Sequence, residues 1–308
     1  MTTSGPRSQA ALVVPAPAKL NLFLHVTGRI ADGPRRGYHQ LESLMVLVDL
    51  ADSVRLTRRD DGQVLREHAV EGVAEADDLC LRAATLLKER AGRAGSGLGV
   101  SITLDKRIPI GAGLGGGSSD AASVLLGLNR LWDLDLTRDD LMRIGGELGA
   151  DVPFFVFGRN AHASGIGEIV RPVTVPRANV LIAAPDSGVS TAAIFAAPEL
   201  QRATPPAAAL AFPFGFGRND LEPIAMAREA GIAVAARALY QPIDGRAAAP
   251  VPSTVRMTGS GSAVYRILDA TDATDATAWA PETRDPRGFR VFRSRVLGSH
   301  PLREFVAK

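Results

Sequence analysis

One stretch of the chain has the composition of an anion-binding loop. Residues 108–120 read Ile-Pro-Ile-Gly-Ala-Gly-Leu-Gly-Gly-Gly-Ser-Ser-Asp, and a run with helical periodicity follows. Glycine lets backbone N–H groups approach an anion closely, and a helix N-terminus adds unpaired donors and partial positive charge. Ser118 and Ser119 could cap the helix, bind a phosphate or ligate a metal ion. We therefore expect a phosphate site here, with a purely structural glycine-rich turn as the alternative.

Two well-known phosphate loops do not fit this stretch. No lysine lies in the loop, so the Gly-Lys-Ser/Thr of a P-loop is missing. Gly111, Gly113 and Gly116 match GxGxxG, but Asp133 and Asp135 follow the helix directly, without the second strand of a dinucleotide-binding unit. The glycine loop of protein kinases lies in a hairpin, whereas this one opens onto a helix.

A lysine and an asparagine share one face of a predicted strand near the N-terminus. Residues 19–27 alternate, with Leu20 and Leu22 on one face and Lys19 and Asn21 on the other. This alternation predicts a half-buried strand. By itself, the pattern fits a solvated polar face as well as a pair of site residues.

An aspartate follows the end of another predicted helix. Asp151 comes after Gly149 and Ala150 and before Val152-Pro153 and an apolar run at 154–157. Proline disfavours a helical conformation at the residue before it, so we expect Asp151 at a helix-to-strand corner. A carboxylate there could serve as a base, or it could be a surface turn residue.

The remaining periodicity predicts alternating helices and strands, and therefore an α+β protein. Helices are expected from the caps and apolar spacings at 77–92, 121–132, 137–149 and 219–240. We expect strands at 41–50, 53–57, 64–70, 100–104 and 180–184, a hairpin at 256–268 and an edge strand at 289–296. We assign no function to the Asp-Ala-Thr repeat at 269–277.

Composition excludes several classes of protein. The chain has 35 basic and 33 acidic residues, and the basic ones are scattered, which argues against a nucleic-acid partner. No apolar run is long enough to span a membrane, and residues 1–10 form a polar tail rather than a secretory signal. Cys80 is the single cysteine and fits a reducing compartment. We therefore expect a cytoplasmic protein without nucleic-acid or membrane partners.

Three motifs occur in the order found in GHMP kinases, the family of galactokinase, homoserine kinase and mevalonate kinase. Pro-Ala-Lys-Leu-Asn-Leu at 17–22 resembles the first motif, and the loop at 109–122 resembles the second. Thr-Gly-Ser-Gly-Ser at 258–262 resembles the third. The likeness extends over about 15–296 and implies a two-domain α+β fold of mixed sheets with helices, whose active site lies in the cleft between domains. We expect a disordered tail at 1–10, an ATP-binding domain at 11–165 and a substrate-side domain at 166–308.

The resemblance also implies roles for individual residues. Asp151, within Gly-Ala-Asp-Val-Pro-Phe-Phe, would accept the proton of an acceptor hydroxyl, and Lys19 would keep Asp151 ionised. Mg²⁺ would accompany ATP, with Ser119 as a metal ligand. The third motif contributes Gly259, Ser260 and Gly261 beside the phosphate loop. The residues expected to bind ATP are Pro109, Gly111, Gly113, Leu114, Gly115, Gly116, Gly117, Ser118 and Ser119.

The acceptor site is suggested by Gly-Tyr-His at 37–39 and by the tripled glycine of the loop. These features are most similar to the branch of the family that phosphorylates a small alcohol linked to cytidine diphosphate. By that likeness, Tyr38, His39 and Phe195 would contact the base, and Asn21 and Asp151 would bind the acceptor. Surface exposure of the tyrosine and core packing of the phenylalanine are the alternatives. Another small-molecule GHMP kinase and a non-catalytic nucleotide sensor are the competing functions.

Overall fold

The computed structural model describes residues 10–92, 97–207, 214–240, 255–268 and 282–306. The expected tail at 1–10 falls outside this part of the chain except for its last residue, and so does the whole repeat at 269–277. The elements in chain order are β1 (Ala11–Arg29), β2 (His39–Arg59), β3 (Val64–Arg66), α1 (Leu79–Arg90), β4 (Gly99–Asp105), α2 (Gly116–Leu131), α3 (Arg138–Leu148), α4 (Val152–Phe157), β5 (Ala161–Ser164), β6 (Ile169–Pro172), β7 (Asn179–Pro185), α5 (Thr191–Ala196), α6 (Glu222–Arg228), α7 (Ala230–Tyr240), β8 (Val255–Met257), β9 (Val264–Leu268), β10 (Glu282–Asp285) and β11 (Phe289–Arg295).

The described strands form two sheets, which confirms the α+β prediction. The first has the order β3-β4-β2-β5-β6, with β1 paired to β2, and the second has the order β10-β11-β7-β9-β8. Strand β6 of the first sheet ends at Pro172, and β7 of the second sheet begins at Asn179. The chain therefore passes from one sheet to the other after the domain boundary expected at 165. Among the helices of the described residues, none is both long and apolar enough to cross a membrane.

Strand β1 connects three hydrophobic cores. Val14 lies in the core between the first sheet and helices α1 to α4, and Leu20 lies in the core between the two sheets. Leu24 reaches the third core, beneath α6 and α7. The strand that carries Lys19 and Asn21 is therefore held along its whole length by buried apolar contacts.

The expectation of a half-buried β1 is wrong, because both faces are covered. Lys19 is only 3% exposed and Asn21 only 4%. On the polar side, a Cβ on Gly115 would lie 3.0 Å from Cγ of Lys19, and Oγ1 of Thr258 accepts the amide of Asn21 at 3.0 Å. The glycine-rich loop and the third motif thus cover the face that alternation alone would assign to solvent.

Three other elements differ from the sequence-based expectations. The two strands predicted at 41–50 and 53–57 are one continuous strand, β2, because β1 pairs with it from end to end. The helix predicted at 219–240 is broken at Glu229, whose extended backbone separates α6 from α7. Strand β11 is internal rather than an edge strand, since β10 pairs with its outer side.

Candidate active site

A cavity of about 580 Å³ lies where the glycine-rich loop, the start of α1, the middle of β1 and β2 and the third motif meet. It contains most of the residues that the sequence analysis selected. Those lining it are Lys19, Asn21, Pro109, Gly111, Gly113, Leu114, Gly115, Gly116, Gly117, Ser118, Asp151, Phe195, Gly259 and Ser260.

The glycine-rich loop has a backbone that only glycine adopts easily. Gly111, Gly113 and Gly115 have φ values of 72°, 80° and 72°, in the left-handed region that other residues disfavour. Gly115 also has no room for a side chain, because a Cβ there would lie 2.9 Å from the ring of Phe155 and 3.0 Å from Cγ of Lys19. The loop therefore packs directly against the strand that carries the lysine.

The two serines of the loop have different environments, and neither caps α2. The N-cap is Gly115. Ser119 is fully buried, and its hydroxyl donates to the carbonyl of Pro17 at 2.6 Å. Ser118 is half-buried and lines the cavity. Of the two hydroxyls, only that of Ser118 is therefore placed to bind a molecule in the cavity. The geometry does not support the prediction that Ser119 is a metal ligand.

The third motif packs backbone to backbone against the loop. A Cβ on Gly113 would lie 2.2 Å from the carbonyl oxygen of Thr258, and a Cβ on Gly261 would lie 2.0 Å from the nitrogen of Gly113. The amide of Ala263 donates to the carbonyl of Ala112 at 3.0 Å. Both glycines are therefore needed for the close approach of the two segments.

Lys19 and Asp151 form an ion pair at the floor of the cavity. Nζ of Lys19 lies 3.7 Å from Oδ2 of Asp151, and the aspartate side chain is 35% exposed. Burial lowers the pKa of Lys19, while the nearby charge of Asp151 and a hydrogen bond to it oppose that change. The pair offers a carboxylate that can accept a proton from a ligand, with a cation beside it.

The local structure around Asp151 corrects the expected helix-to-strand corner. Residues 152–157 form the helix α4, with Asp151 at its N-cap and Pro153 in its first turn. Proline is tolerated there because the first-turn N–H groups have no partner within the helix. Asp151 thus lies at the beginning of a helix rather than at the end of one.

A buried charge cluster that the sequence analysis missed anchors the start of the loop. Nζ of Lys106 lies 2.9 Å from Oδ2 of Asp120 and also pairs with Asp52. Oδ1 of Asp52 accepts the amides of Arg107 and Ile108. Burial raises the pKa of Asp120, and the charge of Asp52 adds to this effect while Lys106 opposes it. No sequence signal joins these residues, since they come from β2, the segment just after β4, and α2.

The residues expected to contact a base are only partly brought together. His39 stacks on Phe195 with ring centroids 4.9 Å apart and planes at 27°, and Phe195 lines the cavity. Nε of Arg202 donates to Nε2 of His39 at 3.1 Å. Tyr38 is 57% exposed and lies outside the cavity lining. Its role at a base therefore stays a prediction.

Comparison with known proteins is consistent with this geometry. Residues 78–159 match the family model for the GHMP kinases N terminal domain. A 4-diphosphocytidyl-2-C-methyl-D-erythritol kinase from Thiobacillus denitrificans is 49% identical over 95% of this chain and 98% of its own length. The enzyme of the same name from Burkholderia thailandensis is 45% identical over 95% of this chain and 96% of its own. A crystal structure of 4-(cytidine 5'-diphospho)-2C-methyl-D-erythritol kinase is 34% identical, with a TM-score of 0.70, over 93% of this chain and 100% of that one.

Proposed function

This chain belongs to the GHMP kinases, and we propose that it transfers the γ-phosphate of ATP to the 2-hydroxyl of 4-diphosphocytidyl-2-C-methyl-D-erythritol. The relatives of that name are 45–49% identical over nearly the whole chain. The product would serve the non-mevalonate route to isoprenoid precursors. We expect the protein to act in the cytoplasm and to require neither nucleic acid nor membrane.

The Lys19–Asp151 pair beside the glycine-rich loop is the observation that carries the proposal. Phosphoryl transfer needs mainly positioning and charge stabilisation from the protein. The loop amides from Gly113 to Ser118 would bind the phosphates. Asp151 would accept the hydroxyl proton, and Lys19 would keep that carboxylate ionised and neutralise charge on the transferred group.

The acceptor would occupy the end of the cavity that Phe195 lines. The stacked rings of His39 and Phe195 offer an aromatic surface for a cytosine, and base stacking on such a surface contributes roughly 1–3 kcal/mol. Asn21 and Asp151, on the cavity floor, would then contact the alcohol part of the acceptor. Tyr38, immediately before His39 at the start of β2, would cover the base from outside.

The side chains present fit a magnesium ion that arrives with ATP. Within the described ranges, no cluster of three or more His, Cys, Asp or Glu side chains could hold a metal by itself. Mg²⁺ usually keeps several waters and binds substrate phosphates with one or two protein ligands. The Ser118 hydroxyl lines the cavity and could supply such a ligand. Bound there, the ion would neutralise phosphate charge.

A substrate panel tests the proposed function. Purified protein with MgATP is offered the diphosphocytidyl alcohol, homoserine, mevalonate or galactose, and ADP release and phosphorylated product are measured. We expect turnover with the diphosphocytidyl alcohol only. Turnover with another acceptor would assign a different family activity, and ATP binding without transfer to any of them would favour the sensor.

A further inference from the structure

The side-chain amide of Asn21 has a polar partner on each side, and all of them are buried. Nδ2 of Asn21 donates to Oγ of Ser43 at 2.8 Å. Oδ1 accepts from Nζ of Lys19 and, at 3.4 Å, from Oγ1 of Thr258. Ser43 is 4% exposed and Thr258 is not exposed at all, so bulk water cannot replace these hydrogen bonds.

The hydroxyl proton of Ser43 determines which way this amide faces. Oγ of Ser43 lies 2.6 Å from the carbonyl oxygen of Phe23, which can only accept. Because a serine hydroxyl has a single proton, only its lone pairs remain for Asn21. The NH₂ group must therefore face Ser43, and the amide oxygen must face Lys19.

Thr258, in the third motif, favours the same orientation of the Asn21 amide. Its hydroxyl oxygen accepts the backbone amide of Asn21 at 3.0 Å, so its proton is free to point at Oδ1 of the same residue. Asn21 thus presents an acceptor to the buried ammonium of Lys19. On its other side, Lys19 meets Asp151.

We propose that Ser43 is a positioning residue for phosphoryl transfer, because its hydroxyl orients Asn21 and thereby holds Lys19 beside Asp151. This inference rests on the proposed function, in which Lys19 and Asp151 do the chemistry. Without the Ser43 hydroxyl, Nδ2 of Asn21 loses its acceptor, and the amide is held only on the side of Lys19 and Thr258. The buried NH₂ group would then lack an acceptor, so Asn21 would shift to find one and would take Lys19 away from Asp151.

The expected kinetic effect is on turnover rather than on nucleotide binding. A displacement of about 1 Å at reacting groups can cost roughly 10²-fold in rate. We expect Ser43→Ala to lower kcat about 10- to 100-fold. Ser43 lies on β2, and its hydroxyl is hydrogen-bonded to Asn21 and Phe23 of β1, so KM for ATP should stay within about twofold. Ser43→Thr keeps a hydroxyl and should recover most of kcat.

Ser123→Ala is the matched control. Ser123 is also a fully buried serine whose hydroxyl donates to a β1 carbonyl, that of Pro15 at 2.9 Å, but it lies outside the cavity. Losing this hydrogen bond should change stability by a similar amount and leave kcat unchanged. A drop in kcat shared by both variants would show a general packing defect and overturn the proposal.

A double-mutant cycle tests whether Ser43 acts through Asn21. Interacting residues give non-additive effects, whereas independent ones multiply in rate. Once Asn21→Ala has removed the amide, Ser43→Ala should lower kcat by no more than about twofold. Multiplied losses would overturn the proposal, and so would a Ser43→Ala effect confined to KM for the alcohol, which would indicate direct contact with the acceptor.

An NMR measurement tests the orientation independently of activity. The side-chain NH₂ resonances of Asn21, assigned by their loss in Asn21→Ala, should be protected from hydrogen exchange in the wild type. In Ser43→Ala they should shift and lose protection, while in Ser123→Ala they should not change. Unchanged resonances in Ser43→Ala would refute the orienting role. A wild type that phosphorylates no acceptor would refute only the proposed function.

Discussion

Replacing Gly261 by alanine tests the backbone contact between the third motif and the glycine-rich loop. An added Cβ would lie 2.0 Å from the nitrogen of Gly113 and 2.1 Å from the carbonyl carbon of Ala112. Ordinary contact begins at 3.4 Å, so one of these segments must move by roughly 1.4 Å. No side chain can absorb this displacement, because both neighbours are backbone atoms.

The displacement should reduce both stability and activity. Overpacking a well-packed region costs typically about 1–3 kcal/mol, which we expect to see as a lower melting temperature. The larger effect should be on kcat/KM for ATP. Gly113 belongs to the loop that would bind the phosphates, and a 1 Å displacement costs up to roughly 10²-fold in rate.

Steady-state kinetics and thermal melting of Gly261→Ala decide the outcome. The matched control is Gly188→Ala, since a Cβ there would meet only the carbonyl oxygen of Gly111, at 3.9 Å. Gly188→Ala should keep wild-type kinetics. If Gly261→Ala retains kcat/KM for ATP within about threefold of wild type, the close contact does not position the loop, and the reasoning fails.

Four further predictions follow from the site and its surroundings. Asp151→Asn should keep ATP binding but cut turnover by roughly 10²–10⁴, the range for a lost general base; turnover within about threefold of wild type would remove Asp151 from that role. Tyr38→Ala should raise KM for the alcohol about 5- to 150-fold by loss of stacking, and a change confined to KM for ATP would contradict the base site. Burial raises the pKa of Asp120 to about 7, so the folded state binds more protons than the unfolded state below that pH, and stability falls as pH rises towards it. The melting temperature of the wild type relative to Asp120→Asn should therefore decrease between about pH 4 and pH 7, and a constant difference would refute the shift. Arg138→Met should lower the free energy of unfolding by about 1–3 kcal/mol, because Arg138 donates to the carbonyls of Val156, Arg303 and Val306. Arg143→Met, which removes only an exposed ion pair on the same helix, is the control and should cost less than about 1 kcal/mol. Equal losses would show that the three carbonyl contacts contribute nothing beyond a surface pair.

Local signals in the sequence were sufficient for several elements. Asp78 caps α1 through the amides of Cys80 and Leu81, as its position before an apolar periodic run predicted. Thr137 and Asp140 form the expected capping box of α3. These features depend on residues within one helical turn of each other, so neighbouring residue types are enough to specify them.

Local rules failed where a distant segment changed the environment. The alternation in β1 indicates that its two faces differ in polarity, but it does not reveal that Gly115 and Thr258 cover the polar face. Pro153 has a similar ambiguity, because proline both disfavours a helix before it and favours a helix that it begins. The choice at Asp151 followed from packing of the apolar residues of α4 into the first core.

The sequence by itself determined the kind of site in this protein. The glycines could be selected from residue types and spacing, because that motif is short and its chemistry depends on residues that are close in the chain. The lysine of the first motif and the aspartate before α4 were selected by the resemblance of their surrounding residues to the family's motifs. Only the tertiary structure decided how these groups are oriented. The cluster of Asp52, Lys106 and Asp120 and the contact from Ser43 to Asn21 join different elements. A hydrogen bond requires its two heavy atoms to lie about 3 Å apart. Only folding brings residues that are distant in the sequence within that distance.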